Sequence, residues 1–241
     1  MDSYGGAGYS MAVATHPGRE HLRLHRNNQD AVAVAASGEA LVLVVADGCS
    51  AGRRSEVGAQ LGAELIARHW LAHPEPAGIG PALDEFLGSL LGRLGGGPAL
   101  VADLLLFSFL AARISSERTT VLGLGDGLLQ LGDERRCLSA GPHNAPPYAA
   151  YRLLDPALLE RPVETELVLH FDRASPLQSP LILGTDGVLE IQGELDGWLA
   201  DPALHKNPHH LGRRLRQAAA QRHGLLDDTS LAILLPRPEG A

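Results

Sequence analysis

Three times along the chain an apolar run stops at Asp-Gly: VLVVADG at Asp47, VLGLGDG at Asp126 and LILGTDG at Asp186. Two further acidic positions flank apolar runs, Asp227-Asp228 before the last one and Asp30, after Gln29, before the first. Asp is a poor strand residue, and a carboxylate at a buried strand end needs a partner or a metal. The glycine behind it lets the backbone turn sharply and opens a carbonyl as a further oxygen ligand. Several such ends on one edge would make an all-oxygen site. Hard cations such as Mg²⁺ and Mn²⁺ prefer that donor set and keep water in their remaining positions. Two such ions about 4 Å apart polarise a phosphoryl oxygen and acidify a bridging water. Each Asp-Gly taken alone reads equally as a plain turn, so the pattern leaves both readings open.

The rest of the chain supplies a frame for these ends. Ala31 to Ala36 and Leu41 to Ala46 flank Ser37-Gly38-Glu39 and read as a hairpin. Ser55 to His73 has helical spacing at Val57, Leu61, Leu65 and Ile66, with Ser55 as a cap and Pro74 as a stop. A second helix is expected from Pro81 to about Leu94, ended by Gly95-Gly96-Gly97. The stretch Leu104 to Ile114 suits helix or strand, and the strand Thr119 to Leu124 behind it favours a hairpin. Leu128 to Leu131 is expected to pair with Thr119 to Leu124 around Gly125-Asp126-Gly127. A Pro-rich loop, Gly141 to Pro147, then leads to strands at Glu164 to Phe171 and Pro180 to Gly184. Pro208 to His223 reads as an Arg-faced helix and Ser230 to Leu235 as the closing strand. No linker or composition shift marks a boundary. The expectation is one domain over 1–241 of mixed α and β type, with residues 1–20 as a less ordered lead or a leading strand.

Composition narrows the function. Aromatics are 4% of the 241 residues, so the core must be filled by aliphatic side chains. A net charge of -8 disfavours nucleic acid as partner, because phosphate backbones need clustered Lys and Arg. Cys49 and Cys137 are too few for a disulfide framework. No run of about 18 apolar residues spans a membrane and no signal-peptide pattern opens the chain, so a cytoplasmic location is expected.

The segments NQDA at 28–31, VADGCSAGRRSEVGA at 45–59, LGDG at 124–127, TDGV at 185–188 and DDTSLAIL at 227–234 resemble, in order and spacing, the type 2C metal-dependent protein serine/threonine phosphatases, in particular a compact bacterial branch. The resemblance spans nearly the whole chain. It implies an α+β fold: a four-layer sandwich of two antiparallel sheets flanked by helix pairs, with metals at one sandwich edge. It implies two Mn²⁺ or Mg²⁺ ions, with Asp47 bridging them, the Gly48 carbonyl on one, and Asp186 and Asp227 completing the other. Asp30 would hold or orient metal-bound water. Asp126 with Asp186 matches a pair that holds a weaker third ion in bacterial members. The implied substrate is a phosphorylated protein, with a serine/threonine kinase or its targets among the partners, and a monomer is expected.

Two positions depart from the family pattern. Gln29 stands where many members have Glu, which removes one negative charge but leaves an oxygen able to accept from a metal-bound water. His25 stands where a phosphate-binding Arg is common, with Arg26 beside it and His21 upstream. A His lacks the bidentate fork of Arg, and its charge depends on pH. These departures motivate an alternative, a phosphatase-like binding or regulatory domain with weak turnover. An aspartyl-phosphate mechanism is disfavoured, because Asp47-Gly48-Cys49 lacks the second Asp two residues on.

Overall fold

The computed structural model describes residues 8–141, 146–159, 162–207, 209–221 and 224–236. One five-stranded sheet has β1 (Tyr9–His16) at its edge, then β10 (Thr229–Pro236), β9 (Leu181–Gly184), β6 (Gly127–Leu131) and β7 (Glu134–Leu138). The other runs β2 (Ala31–Ala36), β3 (Ala40–Gly48), β4 (Phe107–Ser115), β5 (Thr119–Leu124) and β8 (Val168–Arg173). All neighbours pair antiparallel.

The strands read as unbroken apolar runs because both faces of each sheet are covered. On β3, Val42, Val44 and Ala46 pack with Ala59, Ala63, Ile66 and Trp70 of α2 (Glu56–Ala72) and with Leu83 and Leu87 of α3 (Ile79–Arg93). The alternate residues Leu43 and Val45 face the second sheet and meet Leu129, Leu183, Ala232 and Leu234. On the far side Ile182, Leu231 and Ile233 pack with Leu211, Leu215 and Ala218 of α7 (His210–Ala219), while Arg213 and Arg216 stay exposed. The short helices α5 (Leu195–Leu199) and α6 (Ala203–Lys206) complete that layer through Leu195, Trp198 and Leu204. The result is the expected four-layer order of helix, sheet, sheet and helix, with an aliphatic middle. No helix among the described residues is long and apolar enough to cross a membrane.

Several local expectations change. Leu128 to Leu131 does not pair with Thr119 to Leu124; β6 lies in the other sheet, between β9 and β7. Gly125-Asp126-Gly127 is therefore a crossover between sheets. Its glycines have φ of 100° and 129°, and a Cβ on Gly127 would lie 2.5 Å from the Gly184 carbonyl oxygen. Ser55 does not cap α2 with its side chain, because its hydroxyl donates to the Cys49 carbonyl at 2.9 Å instead. The stretch Leu104 to Ile114 is the end of a π turn (Val101–Leu105), which follows α4 (Pro98–Leu100), and then strand β4. The strand expected over Glu164 to Phe171 starts at Val168, and the leading strand is β1. Pro208 and His223, expected at the ends of α7, and residues 142–145 of the Pro-rich loop lie outside the described residues.

Helix α2 sits close enough to the segment before β4 that only glycine fits at Gly58. A Cβ there would lie 2.5 Å from the Leu104 carbonyl oxygen and 2.8 Å from Leu105 Cα. Helix propensity favours Gly58→Ala by about 1 kcal/mol. Overpacking against backbone costs roughly 1–3 kcal/mol and wins. We therefore expect Gly58→Ala to lower the urea midpoint of unfolding; a raised midpoint would mean that the helix seats less tightly than described.

Candidate metal centre

The antiparallel order of both sheets brings the Asp-Gly ends to one edge. Asp47 closes β3 and stands in register with Ser108 of β4. Asp186 follows β9 and opens a 3-10 turn (Asp186–Ile191), while Asp126 sits in the crossover from β5 to β6. Asp30 immediately precedes β2, and Asp227 lies just ahead of β10. Backbone approach at this edge is close. The Gly48 N–H donates to the Gln29 carbonyl at 3.2 Å, and a Cβ on Gly48 would lie 2.6 Å from that oxygen.

The five carboxylates grade from deep to open: Asp30 and Asp126 are buried, Asp47 and Asp186 half-buried, and Asp227 exposed. Burial is the largest effect on each and raises its pKa. The charges acting most strongly on Asp47 are all carboxylates, Asp30, Asp186, Asp126 and Asp227, and every one raises it further. Asp186 is pushed up to about 7, by burial first and then by Asp227 and Asp126.

Hydrogen bonding leaves a specific deficit. Asp30 Oδ2 accepts from the Thr185 hydroxyl at 2.7 Å, but its Oδ1 is buried without a partner. Asp126 Oδ1 and Gln29 Oε1 are orphaned in the same way, while the Gln29 amide donates to the Gly52 carbonyl at 2.9 Å. Buried polar atoms without partners are costly and rare. Three of them here are acceptor oxygens at one edge beside mutually repelling carboxylates, and that donor set fits a hard divalent cation. Among the described residues, no three acidic, His or Cys side chains are drawn together into a finished ligand shell. Between the sheets a narrow crevice lined by Asp47, Ser108, Asp126 and Thr185 runs in from this edge. The roomier cleft, lined by Tyr9, Glu39, Arg113, Arg118 and Leu234, is at the opposite end and contains none of these acids.

The structure thus brings Asp30, Asp47, Gly48, Asp126, Asp186 and Asp227 together and leaves His25 apart. His25 is exposed at the end of α1 (Arg19–Leu24) in a left-handed conformation, φ 53° and ψ 37°. Its neighbour Arg26 reaches the metal loop instead, donating from Nη1 to the Ser50 carbonyl at 3.1 Å. Sequence reasoning passed over Tyr148, a buried tyrosine that packs in the same core cluster as Cys49, which follows the Asp47-Gly48 turn. It also treated Asp227-Asp228 as a single acidic position. The side chains of that pair part company: Asp227 is exposed and Asp228 buried.

Residues 17–189 match the protein phosphatase 2C family, and the chain belongs to it. The fold agrees with solved structures of low identity. The serine/threonine phosphatase Stp1 from Staphylococcus aureus is similar at a TM-score of 0.63 and 15% identity, over 97% of each chain. The S. agalactiae serine/threonine phosphatase has a TM-score of 0.61 at 15% identity, over 94% of this chain and 99% of that one. The RsbU and RsbW domains of a Mycobacterium tuberculosis protein have a TM-score of 0.58 at 17% identity, over 95% of this chain and 60% of that one. No protein of curated function matches the chain.

Carboxylates whose folded pKa is raised bind protons in the native state that the unfolded chain has already lost. Their contribution to stability is complete below the unfolded value near 4 and is lost as pH rises through the folded values, about 7 for Asp186. Chelator-treated protein is therefore expected to melt at a higher temperature at pH 5.5 than at pH 7.5. Millimolar Mn²⁺ should raise the pH 7.5 midpoint most, because it replaces the missing protons. Calorimetric scans at the two pH values, with and without Mn²⁺, check both; a metal-free midpoint that climbs with pH would contradict the arrangement.

Proposed function

We propose that the chain hydrolyses phosphoserine and phosphothreonine in proteins at the Asp47–Asp186–Asp227 edge. The observation that carries this reading is the convergence of five carboxylates with orphaned acceptor oxygens, Asp30 Oδ1, Asp126 Oδ1 and Gln29 Oε1, in a member of the protein phosphatase 2C family. Asp47, the Gly48 carbonyl, Asp186 and Asp227 would hold two Mn²⁺ or Mg²⁺ ions, and Asp126 with Asp186 a weaker third. Bound ions of this kind supply Lewis acidity to the phosphoryl oxygen and lower the pKa of water.

The chain's own groups do the positioning. Asp30 is fixed at Oδ2 by Thr185, which leaves Oδ1 to accept a hydrogen bond from the attacking water and orient it. Gln29 Oε1 is a second, neutral acceptor. Cys49 and Ser50 continue the turn, and its carbonyls are tied down by Ser55 and Arg26. Arg26, bonded to the Ser50 carbonyl of that turn, provides positive charge near the place a phosphate would occupy, while His25 faces solvent. The substrate class is a phosphorylated protein, with a kinase or its targets among the partners.

A second reading, a phosphatase-like binding module with weak turnover, draws on Gln29, which places an amide where a carboxylate would strengthen the site. Hydrolysis of p-nitrophenyl phosphate with Mn²⁺ separates the two. We expect activity that chelation abolishes, and about a hundredfold or greater loss of kcat/KM in Asp47→Asn and Asp186→Asn. Turnover that survives both substitutions would sink the metal mechanism. Binding of two ions without turnover would favour the module.

A further inference from the structure

Asp228 differs from the other acids of this edge because its charge is already answered. It is 2% exposed. Its Oδ1 accepts from the Gly18 N–H at 2.7 Å, and its Oδ2 accepts from the Gln29 N–H at 2.5 Å and from His21 Nδ1 at 2.7 Å. A carboxylate in this contact is acceptor only, so His21 Nδ1 carries the proton. His21 is in turn the one residue of α1 that is buried.

From this carboxylate two lines of contact run into the proposed metal site. Its own backbone N–H donates to Asp227 Oδ1 at 2.9 Å, which fixes one oxygen of that ligand candidate and leaves the other to the cleft. Gln29, held at its N–H by Oδ2, accepts at its own carbonyl from the Gly48 N–H and leads directly into Asp30. Asp228 therefore ties the entrance of β10, in one sheet, to the entrance of β2 and the end of β3, in the other.

We propose that His21 and Asp228 are a positioning pair for the metal-binding edge: they set ion affinity by holding Asp227 and the Gln29–Asp30 segment in register, and they do not touch substrate. His21 is the member that specifies this, because it fills the second acceptor direction of Asp228 Oδ2 and pins α1 over the edge. The inference rests on the metal-phosphatase reading above. Groups that orient a ligand carboxylate from behind typically matter by about 10–100-fold in metal affinity.

The test is calorimetric titration of the full chain with Mn²⁺, alongside p-nitrophenyl phosphate kinetics at saturating Mn²⁺. For His21→Ala we expect Mn²⁺ binding weaker by about tenfold or more, with KM for the ester unchanged once the metal is saturating. His21→Asn, whose amide nitrogen falls near the place of Nδ1, should recover most of the affinity. Should the alanine variant fail to fold, His21→Gln fills the space but carries its donor further out, and it should also weaken Mn²⁺ binding. Affinity unchanged within about twofold in a folded His21→Ala or His21→Gln variant overturns the assignment. So does a KM that rises at saturating Mn²⁺, which would mark substrate contact, or an asparagine variant no better than alanine. If the unmodified protein binds no Mn²⁺, the phosphatase reading falls and takes this assignment with it; normal binding there with an unaffected variant removes this assignment alone.

Discussion

The constraint on which this molecule turns is electrostatic. Two unit charges about 5 Å apart at an effective dielectric of about 20 repel by roughly 3 kcal/mol. A typical domain has only about 5–15 kcal/mol of net stability. Asp30, Asp47, Asp126, Asp186 and Asp227 share one end of the sandwich, so full ionisation of all five without a cation would consume much of such a margin. Burial first, and neighbouring carboxylate charge after it, raises the pKa of all five. An edge built this way is matched to divalent cations before any mechanism is considered.

Repulsion at one end of a sandwich would also pry its two sheets apart, so polar ties there have a mechanical role that an apolar core cannot supply. The middle of the sandwich is aliphatic, with Leu43, Val45, Leu110, Leu129, Leu183 and Leu234 meeting between the sheets. At the acidic end this packing gives way to directed bonds. Thr185, following β9, donates to Asp30 ahead of β2 and accepts from the Ser230 N–H of β10. Asp228 joins the same two sheets through Gln29. The Thr185–Asp30 and Asp228–Gln29 ties cross from one sheet to the other and are buried, so each is made where water competes least.

How far the sequence displays all this depends on whether the cause is local. The strand ends at Asp47 and Asp186 are legible because an apolar run and a glycine fix them within a few residues. The double burial of β3 and β10 is legible as the absence of alternation. The crossover at Asp126 is not, since Gly-Asp-Gly serves a hairpin and a sheet change equally well; what decides is that Gly127 rests on the Gly184 carbonyl, far along the chain. Ser55 reads as a cap by type and position, yet a distant carbonyl, that of Cys49, takes its hydroxyl. Asp227 and Asp228 are the same residue type side by side. Asp227 lies in a bend just ahead of β10, and only the fold says which of the two side chains is buried. The family pattern singled out Asp227 as the candidate ligand and had nothing to say about the work left to Asp228.

The same charge accounting bears on substrate. A phosphomonoester is an anion, and the whole chain carries -8. Bare, this edge would repel the substrate as strongly as it repels itself, and two divalent ions would reverse the local sign, since a bound cation is the largest charge in such a site. Basic side chains alone are placed to assist and not to replace that reversal: Arg26 is committed at one Nη to the Ser50 carbonyl, and His25 faces solvent on a left-handed cap. Affinity for the phosphoryl group and affinity for metal are thus coupled through one electrostatic field. On the proposed metal reading, a chain with His25 in place of an arginine would depend more heavily on its ions for substrate binding than one with a bidentate fork.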